Sequence, residues 1–125
     1  MQTRSPRQIA VEFLQMIVAG DIREAYRRHV APGFRHHNPW FPGDADALMR
    51  GMEENHGTHP HKQFTVRHAL EDGDFVAVHS ELHFVAGDRG MGVVHLFRFE
   101  GQGIVEFWDL GQEVPADSPN QYGMF

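Results

Sequence analysis

The 125-residue chain predicts an α+β fold, with three N-terminal helices packed on one face of a curved antiparallel sheet. Three observations predict it. Apolar residues recur at helical spacing through the first half, and the period changes to two from Lys62 onward. The strand-like segments are joined by links too short for crossovers, which forces an antiparallel meander. Hydrophobic residues make up 41% and charged residues 22%, the balance of one folded domain over residues 1–125 rather than of a disordered chain.

The helices come first. Ser5-Pro6 sets an N-cap residue before a proline at the first helical position, and Ile9, Phe13, Met16 and Ile17 follow on one face until Gly20. Asp21 starts a second, shorter helix carrying Ile22, Ala25 and Tyr26, with Pro32-Gly33 marking its end. The stretch Phe34 to Gly43 contains Pro39 and Pro42 and reads as a short extended piece followed by a loop. Asp44 caps a third helix with Leu48, Met49 and Met52, which runs out before Gly57 and Pro60. Strands are expected at about 62–71, 74–86, 91–100 and 103–113. Asp72-Gly73, Gly87 to Gly90 and Gly101 to Gly103 form the turns, and Val114 to Phe125 forms a loop-like tail.

Composition narrows the function. Lys plus Arg number 11 and Asp plus Glu 17, for a formal charge of −6. With no basic block, nucleic acid is not an expected partner. The absence of Cys removes disulfides, zinc thiolate sites and a thiol nucleophile. Met1 to Arg7 is polar, and the run Ile9 to Ala19 is interrupted by Glu12 and Gln15. It therefore reads as neither a signal peptide nor a membrane span, and the cytoplasm is the expected location. The odd feature is ten His.

Alternation sorts the strand residues by face. His95 shares a face with Met91, Val93, Phe97 and Phe99; Asp109 shares one with Val105 and Phe107, opposite Ile104, Glu106, Trp108 and Leu110. An ionisable group on an apolar face is kept only with a partner or a task, because an unpaired buried charge costs several kcal/mol. His37, at the end of the short extended piece, and His79, in mid-strand, are the further candidates to meet them. Both sheet faces carry large apolar residues, so one packs the helices and the other is expected to form a dimer.

Metal binding is the rival reading of a His-rich chain. His79 and His83 would suit a site on a helix, but on a strand they stand roughly 13 Å apart, too far to share an ion. His56, His59 and His61 fall in a stretch rich in turn formers and read as a solvated loop. A metal set of His37, His79, His95 and Asp109 across strands stays open at this stage. Trp40-Phe41-Pro42 is an apolar loop suited to lidding a pocket.

The segments His36-His37-Asn38-Pro39, Gly73 to His79, Leu96 to Glu100, Ile104 to Asp109 and Asn120 to Phe125 occur in that order across nearly the whole chain. They resemble SnoaL-like proteins of the nuclear-transport-factor-2-like superfamily. The resemblance implies a cone-shaped α+β barrel of curved sheet closed by three helices, a deep pocket, and a homodimer formed through the sheet. It also implies chemistry without metal or organic cofactor. SnoaL-like polyketide cyclases close rings by intramolecular aldol condensation, with an acidic residue and histidines handling protons, and relatives isomerise ketosteroids, dehydrate or hydrolyse epoxides. Carried over, the family's proton-handling positions fall on His37, His79 and Asp109. This chain departs from the common pattern in having His95 where an Asp is frequent and Phe107 where a His is usual.

The expected function is that of a cofactor-free lyase or isomerase acting on a small apolar carbonyl compound. Asp109 takes a proton beside the carbonyl and His37, His79 or His95 donates to the enolate oxygen. Asn38, Trp40, Phe41, Phe97 and Phe107 are expected to bind the substrate. A non-catalytic small-molecule-binding dimer and a His/Asp metal-dependent enzyme are the alternatives.

Overall fold

Helix α1 (Pro6–Ala19) begins with a reciprocal capping box, in which the Ser5 hydroxyl accepts from the Gln8 backbone and the Gln8 side chain accepts from the Ser5 backbone. It ends at Gly20, whose φ of 88° is a conformation that disfavours any side chain. The computed structural model describes residues 4–125; the first three residues of the polar N-terminal stretch lie outside them. Helix α2 (Ile22–His29) follows, then strand β1 (Val30–His36) and helix α3 (Ala45–Thr58), capped by the Asp44 carboxylate on Ala47 N. Strands β2 (Gln63–Asp72), β3 (Phe75–His83), β4 (Met91–Glu100) and β5 (Gly103–Glu113) complete the chain.

The sheet runs β1-β5-β4-β3-β2, antiparallel throughout except that β1 lies parallel to β5. Register shifts in β2 at Arg67 and at the start of β5 each insert one residue on one side of a ladder, and the shift in β1 between Val30 and Arg35 inserts three. Such bulges bend a sheet, and this one curves around the helices. The three helices and the curved five-stranded sheet make a cone-shaped α+β fold. Its core is aromatic: Phe13 of α1 packs on Tyr26, Phe97 and Phe107, with ring centroids 5.4, 6.0 and 6.4 Å away. Ile9, Leu14, Val76, Val78, Phe99 and Ile104 fill in around them. The outer face is partly covered by the C-terminal tail, where Phe125 stacks near His79 and under the Arg67 guanidinium.

The structure differs from the sequence reading in five places. Helix α2 stops at His29, and β1 runs through Pro32-Gly33 instead of starting after it. Those two residues fall in the irregular part of the strand, where no regular ladder bond is demanded of the proline. Helix α3 continues through Gly57 to Thr58, because a glycine facing open space costs a helix only about 1 kcal/mol. His56 is therefore no loop residue; its ring lies against Gly20, where an added Cβ would meet it at 2.4 Å. Strand β3 ends early, at His83, because the Asp88 carboxylate accepts from Phe84 N and Val85 N and turns the chain. The β2–β3 link is Gly73-Asp74 and the β4–β5 link Gly101-Gln102, each one residue from the expected frame. Lastly, the bulge at Val105 puts Ile104 on the core face with Phe107, not opposite it.

Candidate functional site

Between the helices and the inner face of the sheet lies a cavity of about 610 Å³, within the range that holds a small organic molecule. Its walls are mostly apolar, with Leu14 and Ile17 from α1, Leu48 and Met52 from α3, and Phe64 and Val93 from the sheet. Among the described residues, five polar side chains reach it: Asn38, Asn55, Lys62, His95 and Asp109.

His95 and Asp109 meet because they are a directly opposed pair on β4 and β5, both on the inner face. The His95 Nε2 lies 3.5 Å from Asp109 Oδ1, a loose approach rather than a good hydrogen bond. The other carboxylate oxygen accepts from Asn38 Nδ2 at 3.1 Å. The Asn38 amide has a defined orientation, since its oxygen accepts from Trp40 N at 3.0 Å, leaving the NH₂ group to face Asp109. Asn38 N donates to His36 Nδ1, and His36 Nε2 in turn donates to Pro42 O at 2.6 Å. The buried His36 thus pins the loop whose Asn38 holds the carboxylate. Phe41 lies down on Gly51 of α3, where a Cβ would collide with its ring at 2.5 Å, and Trp40, 85% exposed, sits at the rim.

Burial holds the His95 imidazole below its usual pKa, with the Asp109 charge opposing in part. Its Nδ1 is buried and finds no hydrogen-bond partner among the described residues, which further disfavours the imidazolium. His95 is therefore a neutral imidazole at neutral pH. Asp109, whose side chain remains 28% exposed, carries one neutral amide partner and no cation at contact distance among the described residues. Tyr26, near the same carboxylate, has its phenol pKa raised by burial and by the Asp109 charge, and its hydroxyl donates a hydrogen bond to Met52 Sδ at 3.2 Å.

Of the expected site residues, Asp109, His95, Asn38, Trp40 and Phe41 come together around the cavity. Phe97 and Phe107 lie fully buried in the core behind it, with Phe107 stacked on His95 at 5.5 Å. His37 and His79 do not reach the cavity. Next to the inward His36, the side chain of His37 falls on the outer face, where it bonds Glu106 Oε2 at 2.6 Å and stacks on Trp108. His79 alternates with the buried Val78 and Ser80 and meets His68, with Nδ1 atoms 3.0 Å apart. The proposed four-residue metal set is split across the sheet by this alternation. Among the described residues no three His, Asp or Glu side chains form a group suited to a metal ion, and no helix is long and apolar enough to cross a membrane.

The sequence reading missed two polar features. Glu106, on the outer face, is bonded at once by Arg35 Nε (2.9 Å), His37 Nε2 (2.6 Å) and Arg98 Nε (2.9 Å). These hydrogen bonds, that of Arg35 first and that of His37 next, hold its carboxyl far below the usual range, down to about 2. The other is Lys62, on the cavity wall, donating to Asn55 Oδ1 at 2.5 Å. A signal for it was present: it is the only lysine in the sequence, and no acidic residue lies within four positions.

Comparison with known proteins bears on the fold. The SnoaL-like domain model matches residues 10–107. None of the curated proteins compared with the chain matches it. Among solved structures, wild-type IdmH from Streptomyces antibioticus, provisionally assigned as a polyketide cyclase, is 20% identical at a TM-score of 0.69, over 87% of this chain and 93% of its own. An NTF2-like protein of unknown function from Cytophaga hutchinsonii is 18% identical at 0.70, over 90% and 95%. A SnoaL-like protein from Jannaschia, also provisionally assigned as a polyketide cyclase, is 19% identical at 0.67, over 90% and 92%. At these identities the likeness is one of fold.

Proposed function

The chain belongs to the SnoaL-like domain family, and on that premise we propose that it is a cofactor-free lyase or isomerase that enolises a small apolar carbonyl compound. The observation that carries the reading is Asp109, an under-partnered carboxylate held by Asn38 and faced by a neutral His95 in a largely apolar cavity. Asp109 takes a proton from the carbon next to the carbonyl, and the electron pair moves onto the carbonyl oxygen. His95, as a neutral N–H donor, stabilises that oxygen without surrendering a full proton. The apolar walls exclude water and fold the substrate. Neighbours provisionally assigned as polyketide cyclases on the same fold agree with this reading. His37 and His79 take no part in it.

The same reading covers a single domain over residues 1–125, a cytoplasmic location, and a homodimer through the outer sheet face, whose exposed Leu70 and Phe75 lie beside Trp108 and Leu96. The test is α-proton exchange in D₂O on a panel of apolar cyclic ketones such as 2-tetralone, followed by NMR. Wild-type protein accelerates exchange and Asp109→Asn loses it. Ketones that bind while exchanging at the buffer rate in both proteins would transfer the case to the non-catalytic binding reading.

A further inference from the structure

The polar groups of the cavity fall in two places. Asp109, His95 and Asn38 form one. The strand register puts the other well away from it. Gln63 pairs with His83, so Lys62 lies one position beyond, whereas the row of His95 and Asp109 crosses β3 at Val78. The two rows are six positions apart, about 20 Å along the strand. Phe64, Leu82, Met91 and Val93 line the cavity between them.

Lys62 is an unusual occupant of such a wall. It is half-buried, and its ammonium donates to Asn55 Oδ1 yet forms no ion pair with any carboxylate among the described residues. Burial depresses its pKa, with no neighbouring anion offsetting the cost. A cation in an apolar cavity without a counter-ion is stabilised by whatever anion enters. Asn55, whose oxygen is taken by the lysine, keeps its NH₂ group for the same visitor.

We infer that the ligand of this cavity is an amphipathic acid: an apolar body with a carboxylate or like anionic oxygen group held by Lys62 and Asn55, and its reacting carbon at Asp109 and His95. The inference rests on the proposed reading of the Asp109 end for where the reaction occurs, but its binding half does not depend on turnover. Lys62 is then a specificity-determining residue that selects acids over neutral compounds of the same shape.

The test compares 2-naphthoate with the neutral, nearly isosteric 2-naphthamide by titration calorimetry. Wild-type protein binds the acid about tenfold more tightly, the worth of one charge-assisted hydrogen bond. Lys62→Met, which keeps the length of the side chain, abolishes the preference, and Lys62→Arg restores part of it. Because this is the sole lysine, reductive ¹³C-methylation gives one side-chain resonance. That resonance shifts, and its pKa rises, with naphthoate and not with naphthamide. Equal affinity for acid and amide, a preference that persists in Lys62→Met, or a methyl-lysine signal indifferent to naphthoate overturns the inference. Asp109→Asn retains the preference, so a failure of the enolisation reading leaves a different signature from a failure of this one.

Discussion

Two carboxylates on one strand, three residues apart, meet opposite fates. Glu106 and Asp109 both belong to β5, but an odd spacing sends them to different sides of the sheet. Glu106 is saturated by two guanidinium groups and an imidazole and is 7% exposed. Asp109 has one amide and a loosely placed imidazole. A carboxylate with every lone pair taken is structural, since no proton can be added without breaking several bonds. One with capacity left over can do chemistry. The sheet separates the two roles by nothing more than the pleat.

That contrast makes a double dissociation the sharpest way to break it. Asp109→Asn should lower proton exchange about 10²–10⁴-fold, the usual worth of a general base, while leaving the thermal midpoint nearly unchanged. Glu106→Gln should do the reverse, retaining exchange and losing about 1–3 kcal/mol of stability in denaturant titration, since it removes the buried charge that Arg35, His37 and Arg98 all bond. The acid response should change with it. A carboxylate with its folded pKa near 2 and an ordinary value of 4.5 when unfolded contributes stability that is fully present above pH 4.5 and lost as the pH falls toward 2. Glu106→Gln should flatten the stability profile across that window, and an unchanged slope would mean that the cluster is not formed in solution.

Smaller effects refine the Asp109 side. Asn38→Ala removes the one good hydrogen bond to that carboxylate among the described residues and should reduce exchange roughly tenfold with little change in melting. Gly51→Ala pushes on the Phe41 ring from below and should loosen the rim, raising KM a few-fold and leaving kcat alone. If kcat falls as much as KM rises, Phe41 is part of the reacting geometry and not merely a cover.

How much of this was legible depends on how local the determinants are. The four strands from Gln63 onward follow from alternation alone, within about three residues, because each has one face against the core. The end of strand β1 was legible as a short extended piece from Phe34, but its start was hidden because Pro32-Gly33 carries a strong stop signal, and a parallel pairing with β5, some 70 residues away, has no local mark. The opposition of His95 and Asp109 could be suspected from their apolar faces, yet their registry rests on the ladder between β4 and β5. His37 illustrates the limit most plainly. It and His36 are chemically identical neighbours, and only the β1–β5 pairing decides that His36 turns inward to pin the loop and His37 outward to Glu106. Lys62 was overlooked for the opposite reason: a single lysine before a strand looks like ordinary solvated surface until the helix opposite it is in place.

The bulge at Val105 has a consequence for how such a protein can change. Ile104 and Phe107 both face inward because Val105 is the extra residue between them, paired with nothing on β4. Removing it would join Ile104 directly to Glu106 and keep Glu106 outside and Asp109 inside. What would alter is the bend of the strand. Chain length at that position therefore tunes how widely the sheet opens, independently of which side each carboxylate takes. One residue more or fewer there changes the bend and keeps the acid in place.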